Sequence, residues 1–103
     1  MPWTEYPQAM KAAARRGIRL NKERGGRCAT AVGKETARIL SSGGALSDAR
    51  VVRMRAYLER ARTYYKPNDA EACGTISYLL WGGLPALRWS RRIVKKIKEN
   101  ADK

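Results

Sequence analysis

Positively charged side chains dominate the chemistry that this chain offers, and they are densest near its C-terminus. From Pro85 to Lys98 the sequence reads PALRWSRRIVKKIK, with no carboxylate. At about 100° per residue of an α-helix, this segment divides into an apolar side and a cationic side. The apolar side holds Ala86, Leu87, Trp89, Ile93, Val94 and Ile97, and the cationic side holds Arg88, Arg91, Arg92, Lys95, Lys96 and Lys98. Such a helix can pack on a core and still offer a polyanion a dense positive surface.

Two other basic sets lie upstream. The first predicted helix carries Lys11, Arg15, Arg16, Arg19 and Lys22 on the side opposite its apolar residues. In the middle of the chain, two predicted helices joined by a Gly43–Leu46 connection form a helix-turn-helix-like unit. Arg50 and Arg53 would then occupy the positions from which arginine reaches guanine edges in the major groove. Any two helices joined by a glycine turn show this pattern, so an ordinary helical connection is the alternative.

The sequence offers few residues that could serve in catalysis or bind a metal ion. The chain has no histidine and only two isolated cysteines, Cys28 and Cys73, which excludes tetrahedral zinc sites and triads that need histidine. The nine carboxylates are scattered, and most lie near predicted helix ends, where they complement the helix dipole. We therefore expect no enzyme and no cofactor. Two lone thiols in a reducing compartment are expected to be free, with a disulfide as the alternative.

Composition agrees with an anionic partner. Lysine and arginine number 22 against 9 acidic residues, for a formal charge of +13, and hydrophobic residues make up 44% of the chain, as in a folded domain. DNA, RNA, an anionic membrane surface and an acidic protein are all compatible with that charge. No apolar run approaches the roughly 18 residues of a membrane span, and the N-terminus lacks the pattern of a secretory signal. The expectation is a soluble intracellular protein, or one packaged from the cytoplasm.

The elements that must position these side chains read as helices separated by glycine pairs. Helices are predicted over about 7–24, 29–42, 48–65, 70–81 and 85–100, with Ser47 and Asp48 starting the third and Asp69 capping the fourth. No strand pattern is present. The predicted fold is all-α, one domain over residues 1–103, a compact bundle of about five short helices with a helix-turn-helix-like centre and a basic amphipathic C-terminal helix.

The predicted core follows the apolar spacing of three and four residues. It comprises Met10, Ala13, Ala14, Gly17, Ile18 and Asn21, then Val32, Ala37, Ile39 and Leu40, then Val51, Met54, Leu58, Ala61 and Tyr65, then Ile76, Leu79 and Leu80. Trp81 and Trp89 are also placed in the core, because aromatic residues at helical spacing usually pack inward. Stacking on nucleic-acid bases is the alternative for exposed aromatics, and Tyr64 and Tyr65 beside Lys66 are its better candidates.

Two runs, GGRCATAVGKETARILSSGGALSDARVVRMRAYLERA and CGTISYLLWGGLPALRWSRR, resemble a small module found in bacteriophage and prophage proteins. The matching residues are Gly25, Gly26, Val32, Gly33, Ala37, Leu40, Leu46, Ser47, Val51, Arg53, Met54, Tyr57, Gly74, Ile76, Leu80, Trp81, Gly82, Gly83 and Trp89. The likeness covers about residues 6–92 and departs at Cys28–Thr30 and at Glu35–Thr36. It implies a phage origin, a helical fold and a place near head-assembly proteins, in the host cytoplasm or packaged in the virion.

The function expected from these observations is that of a small basic phage-type nucleic-acid-binding protein. It would bind duplex DNA through phosphate contacts with limited sequence preference. The alternative is a module that binds an acidic surface of a capsid or host protein, and a weaker one is membrane association through the last helix. A polyanion binder is expected to have its charged faces merge into one continuous surface, whereas a protein partner is expected to need an exposed apolar patch beside them.

Overall fold

Five α-helices form the fold, as the sequence predicts. The computed structural model describes residues 2–101, and no strand occurs in that range. The helices are α1 (Gln8–Glu23), α2 (Ala31–Ser42), α3 (Asp48–Ala61), α4 (Cys73–Leu80) and α5 (Gly83–Ala101), and a 3₁₀ turn over Arg62–Tyr64 follows α3. The all-α prediction is therefore confirmed, and the predicted ends differ from the observed ones by zero to four residues.

Side-chain caps set the starts of α2 and α3. The Thr30 hydroxyl accepts a hydrogen bond from the Gly33 amide at 3.2 Å, so α2 begins after Thr30 rather than at residue 29. The Ser47 hydroxyl accepts one from the Arg50 amide at 3.1 Å, as its position before α3 predicts. At the far end of α2, Gly43 takes a left-handed conformation with φ of 73°, which turns the chain toward α3.

The start of α4 differs from the prediction. The sequence predicts that Asp69 caps a helix beginning at residue 70, whereas the helix begins at Cys73. The Asp69 carboxylate instead accepts a hydrogen bond from the Glu71 amide within the turn that precedes the helix. The chain then passes so close to the 3₁₀ turn that a Cβ atom on Gly74 would lie 2.7 Å from the Tyr64 carbonyl oxygen. This close approach falls on the second residue of the helix, where only glycine fits without displacing the backbone of the 3₁₀ turn.

The core lies where α1 packs on α2 and α4 and where α3 packs on α5. Trp81 and Trp89 are each only 4% exposed, so their predicted place in the core is confirmed. Tyr57 stacks on Trp81 with ring centroids 4.8 Å apart, and Tyr6 meets Trp89 edge to face at 5.7 Å. Aromatic pairs at these distances add to the stabilisation that burial alone gives.

One side chain predicted to be internal lies outside the core. Ile18 is 38% exposed and lines an open groove between α1, α2 and the end of α4. Its neighbour on the predicted inner side, Gly17, is buried where α1 and α4 cross. The inner side of α1 is therefore narrower than its sequence indicates.

Cys28 and Cys73 form a disulfide, so the expectation of free thiols is wrong. Their Cα atoms lie 4.7 Å apart, within the range that a disulfide spans. The packing of α1 on α4 brings the segment after α1 against the start of α4. Asn21 fixes that segment, since its side-chain oxygen accepts a hydrogen bond from the Cys28 amide at 3.0 Å. A pairing across 45 residues leaves no local signal in the sequence.

Within residues 2–101, no helix combines the length and the apolar character that crossing a membrane requires.

Candidate nucleic-acid interface

The residues of α5 divide as the sequence predicts. Arg88, Arg91, Arg92, Lys95, Lys96 and Lys98 are all exposed, and we call them the cationic face of α5. Ala86, Leu87, Trp89, Ser90, Ile93 and Val94 are buried on the opposite side, and Ile97 is half-buried. Because the apolar side packs on the core, the backbone that carries the cationic face is held by the fold rather than by a partner.

The cationic face is dense and regular. From Arg88 to Lys98 a helix rises by about 15 Å, and six charges at 100° per residue cover about 160° of its circumference. B-DNA carries one phosphate charge per roughly 1.7 Å of its axis, or one per about 3.4 Å on each strand. The spacing of the positive charges on α5 is therefore of the same order as that of the phosphates along one strand.

A pocket between α3 and α5 extends this surface. Arg55 of α3 lines it together with Arg91, Val94, Lys95 and Lys98 of α5, and its volume is about 260 Å³. We call it the α3–α5 pocket. It brings together three of the predicted binding residues and adds Arg55, which the sequence shows only as a residue flanking the apolar stripe of α3.

One carboxylate shares this surface. The Arg91 guanidinium Nε donates a hydrogen bond to Glu59 Oε1, which joins α5 to α3 by an ion pair. This hydrogen bond is the main cause that lowers the pKa of the Glu59 carboxyl, and the charges of Arg55 and Arg62 lower it further. Glu59 is therefore ionised at neutral pH and competes with any other anion for Arg91.

A second groove runs along the other edge of the cationic face. Arg92 and Lys96 line it with Trp89 and the N-terminal segment 2–5, which includes Glu5. That segment is anchored elsewhere, since the Trp3 and Leu46 backbones exchange hydrogen bonds of 2.8 and 2.9 Å. The fold thus places the side-chain carboxylate of Glu5 beside α5.

None of the basic residues of α1 lines the α3–α5 pocket. Arg15 donates a hydrogen bond to the Ser41 carbonyl of α2 at 2.9 Å. Lys11 is half-buried, with its Nζ 5.3 Å from the centre of the Tyr6 ring. Arg16, Arg19 and Lys22 are exposed. Two of the five predicted residues therefore make contacts within the fold.

Arg50 and Arg53 line a different groove, between α2 and α3, which also contains Glu35. The Arg50 guanidinium donates a hydrogen bond to the Thr36 hydroxyl at 2.9 Å and is half-buried. Helix α3 packs mainly on α5, and α2 packs mainly on α1. The two helices of the helix-turn-helix-like unit therefore meet through side chains such as those of Arg50 and Thr36. Arg50 is thus held back toward α2.

The two tyrosines predicted as candidates for base stacking, Tyr64 and Tyr65, differ in their exposure. Tyr65 is half-buried and stacks on Tyr78 with ring centroids 4.8 Å apart, so its ring face belongs to the fold. Tyr64 is 67% exposed in the 3₁₀ turn. Of the two tyrosines, only Tyr64 offers a free ring.

The described part of the chain contains no group of three or more histidine, cysteine, aspartate or glutamate residues placed to hold a metal ion. Comparison with protein-family models, curated proteins and solved structures finds no match for this chain.

Proposed function

We propose that this protein binds duplex nucleic acid, with DNA favoured, through phosphate contacts from the cationic face of α5. The observation that carries the proposal is the exposure of six positive side chains along one side of a helix whose other side is buried. Contacts of this kind recognise the charge of the backbone and carry little sequence information. Binding is therefore strong at low salt and similar for different sequences.

The distribution of exposed apolar side chains favours this function over a protein partner. Among the described residues, the large apolar side chains that are exposed are Ile18, Val52 and Tyr64, which lie on α1, α3 and the 3₁₀ turn. A large contiguous apolar patch would mark a protein interface, and these three side chains lie on three different elements. Membrane association through α5 is disfavoured because its apolar side is already packed in the core.

The resemblance to the phage module supports a setting in which DNA is packaged. A virion also suits the disulfide, because disulfides persist on virion surfaces and are rare in reducing cytoplasm. An acidic surface of a capsid or host protein is the alternative partner, since it would meet the same positive charges. We favour nucleic acid because the mean axial spacing of the charges on α5 is of the same order as that of the phosphates along one strand.

Replacing Arg91, Arg92, Lys95 and Lys96 by glutamine tests the proposal. Glutamine is nearly as good a helix former as lysine or arginine, and the four side chains are exposed, so the fold should persist. Affinity for a duplex of random sequence should fall sharply at moderate salt. The slope of log affinity against log salt should decrease in magnitude by up to about 3.6, at roughly 0.9 for each phosphate that the variant no longer neutralises.

The control removes the same number of charges at other exposed positions, namely Arg24, Arg27, Lys34 and Lys66. We expect this variant to retain most of the affinity, because its changes lie outside α5. Equal reductions of affinity in the two variants, measured by fluorescence anisotropy, would mean that net charge rather than the cationic face of α5 determines binding. An unchanged affinity in the α5 variant would refute the proposal outright.

A further inference from the structure

The α3–α5 pocket differs from the rest of the positive surface in its lining. Four positive side chains, from two helices distant in sequence, surround a single apolar residue, Val94. Three of the four belong to the exposed cationic face of α5, and the packing of α3 on α5 places Arg55 beside them. Crowding of like charges raises the local concentration of any anion small enough to enter.

Arg55 gives the pocket its chemistry. Its Nε atom has less than 1 Å² of accessible surface and makes no hydrogen bond to the described residues. Buried polar atoms nearly always have a partner, and an unsatisfied donor costs free energy. The nearest ion pair does not relieve it, because the Glu59 carboxylate accepts its hydrogen bond from Arg91. Because Nε is enclosed, an anion in the pocket can contact Arg55 only through the outer nitrogens of its guanidinium, and Arg55 adds its charge to the pocket in that way.

We infer that the α3–α5 pocket binds one phosphate group, with Arg55 and Arg91 as its hydrogen-bond donors. A guanidinium presents a planar set of N–H groups that matches two phosphate oxygens, and Lys95 and Lys98 add charge around them. Four oxygens occupy about 120 Å³, at roughly 30 Å³ per water-sized group, so the pocket of about 260 Å³ accommodates a phosphate and bound water.

The phosphate can come from a phosphodiester of the backbone or from a terminal phosphate, and both present the same oxygens. The assignment of a nucleic acid as its source rests on the proposed function, whereas binding of phosphate itself does not. A phosphate in the pocket competes with Glu59 for Arg91, so binding exchanges one anionic partner of this arginine for another.

The test is an NMR titration with inorganic phosphate at constant ionic strength, on the full chain with its disulfide intact. Arg55→Gln should weaken phosphate binding by about tenfold, the effect of removing a charged hydrogen bond. Arg60→Gln is the matched control, since Arg60 is an exposed arginine of α3 that lines a different groove. It removes the same charge and should change the affinity less than about twofold, the value of an exposed charge.

Equal affinity in Arg55→Gln and the wild type, or equal reductions in the two variants, would overturn the inference. Lys98 is exposed and lines the pocket, so Lys98→Gln should also weaken phosphate binding. If Arg55→Gln does not fold, the affinity of Lys98→Gln for phosphate tests the inference in its place. Failure here is distinct from failure of the proposed function. If DNA binding depends on the cationic face of α5 but Arg55→Gln leaves phosphate binding unchanged, this inference alone is refuted. If Arg55→Gln weakens phosphate binding but the α5 variant binds DNA as the wild type does, the proposed function alone is refuted.

Duplexes with 5′-phosphate or 5′-hydroxyl ends then distinguish the two sources. A decrease of affinity in Arg55→Gln that is equal for both duplexes identifies an internal phosphodiester. A decrease confined to the phosphorylated duplex identifies the terminal group. No effect on either duplex would contradict nucleic acid as the source of the phosphate.

Discussion

At the scale of single residues, Gly17 determines how closely α1 and α4 approach. A Cβ atom at this position would lie 2.8 Å from the Leu80 nitrogen and 3.0 Å from the Leu79 carbonyl carbon. Because these are backbone atoms, they cannot move aside as a flexible side chain would. The absence of a side chain at one position therefore fixes the spacing of two helices.

Gly17→Ala should lower the free energy of unfolding by about 1–3 kcal/mol, the usual cost of overpacking, although alanine is the better helix former. Chemical denaturation measures the change. Ala12→Gly, at an exposed position of the same helix, gives the backbone contribution alone and should cost about 1 kcal/mol. If Gly17→Ala were stabilising by a similar amount, only helix propensity would matter and the two helices could separate without cost.

Glu59 is the residue whose removal should strengthen binding. Glu59→Gln frees Arg91 and deletes a negative charge beside the cationic face of α5, so affinity for duplex DNA should rise roughly two- to fivefold. Glu35→Gln is the control, because Glu35 is also paired with an arginine, Arg38, but lies on α2. A larger effect from Glu35→Gln would transfer the binding site to the groove that holds Arg50 and Arg53.

This difference in affinity should depend on pH in a defined direction. The pKa of Glu59 is lowered chiefly by its hydrogen bond with Arg91, so the carboxylate stays charged below the pH at which ordinary glutamates titrate. The gap between wild type and Glu59→Gln should narrow as the pH falls through the titration of Glu59 and close completely only below that ordinary range. A gap that closes at higher pH would show that the ion pair does not hold Glu59 ionised in solution.

At the scale of elements, the disulfide ties the segment between α1 and α2 to the first residue of α4. It closes a loop of 45 residues. In the chain-entropy account, closing such a loop stabilises the folded state by about 4 kcal/mol, a large share of the roughly 5–15 kcal/mol of a typical domain. The bond acts on the packing of α1, α2 and α4, whereas α5 carries none of its atoms.

We therefore expect a reductant to lower the free energy of unfolding by about 4 kcal/mol, with native DNA binding retained wherever the reduced chain stays folded. Denaturant titrations with and without the reductant measure the change. The double variant Cys28→Ser, Cys73→Ser should behave as the reduced protein does and should not respond to reductant. Superimposable curves for the oxidised and reduced wild type would contradict a role for this bond in stability.

Which features the sequence can predict depends on how far apart their parts lie in the chain. The two sides of α5 and the cap at Ser47 follow from neighbouring residues, and the structure confirms both. The Cys28–Cys73 bond joins distant segments, and no local pattern indicates it. The place of Arg55 in a pocket cannot be predicted from the sequence for the same reason, because the pocket forms only where α5 packs beside α3.

At the scale of the whole molecule, the positive charge is divided among separate places. Arg50 and Arg53 lie in the groove between α2 and α3, Arg15 contacts α2, and α5 forms the longest exposed set. The sequence does not show which of these sets is most available for binding, because each follows the same helical spacing. Packing distinguishes them, since it engages some arginines in hydrogen bonds and leaves others exposed.

The burial of the apolar side of α5 has a calorimetric consequence. A cationic helix that folds only on its partner removes apolar surface from water as it binds, and its binding enthalpy then becomes more negative on warming. In this protein Trp89, Ile93 and Val94 are already inside the core, so little apolar surface remains to be dehydrated. We expect a heat-capacity change of binding near zero by isothermal titration at several temperatures, with an entropic driving force from released counterions. A large negative value would mean that α5 leaves the core or that another segment folds when the duplex is bound.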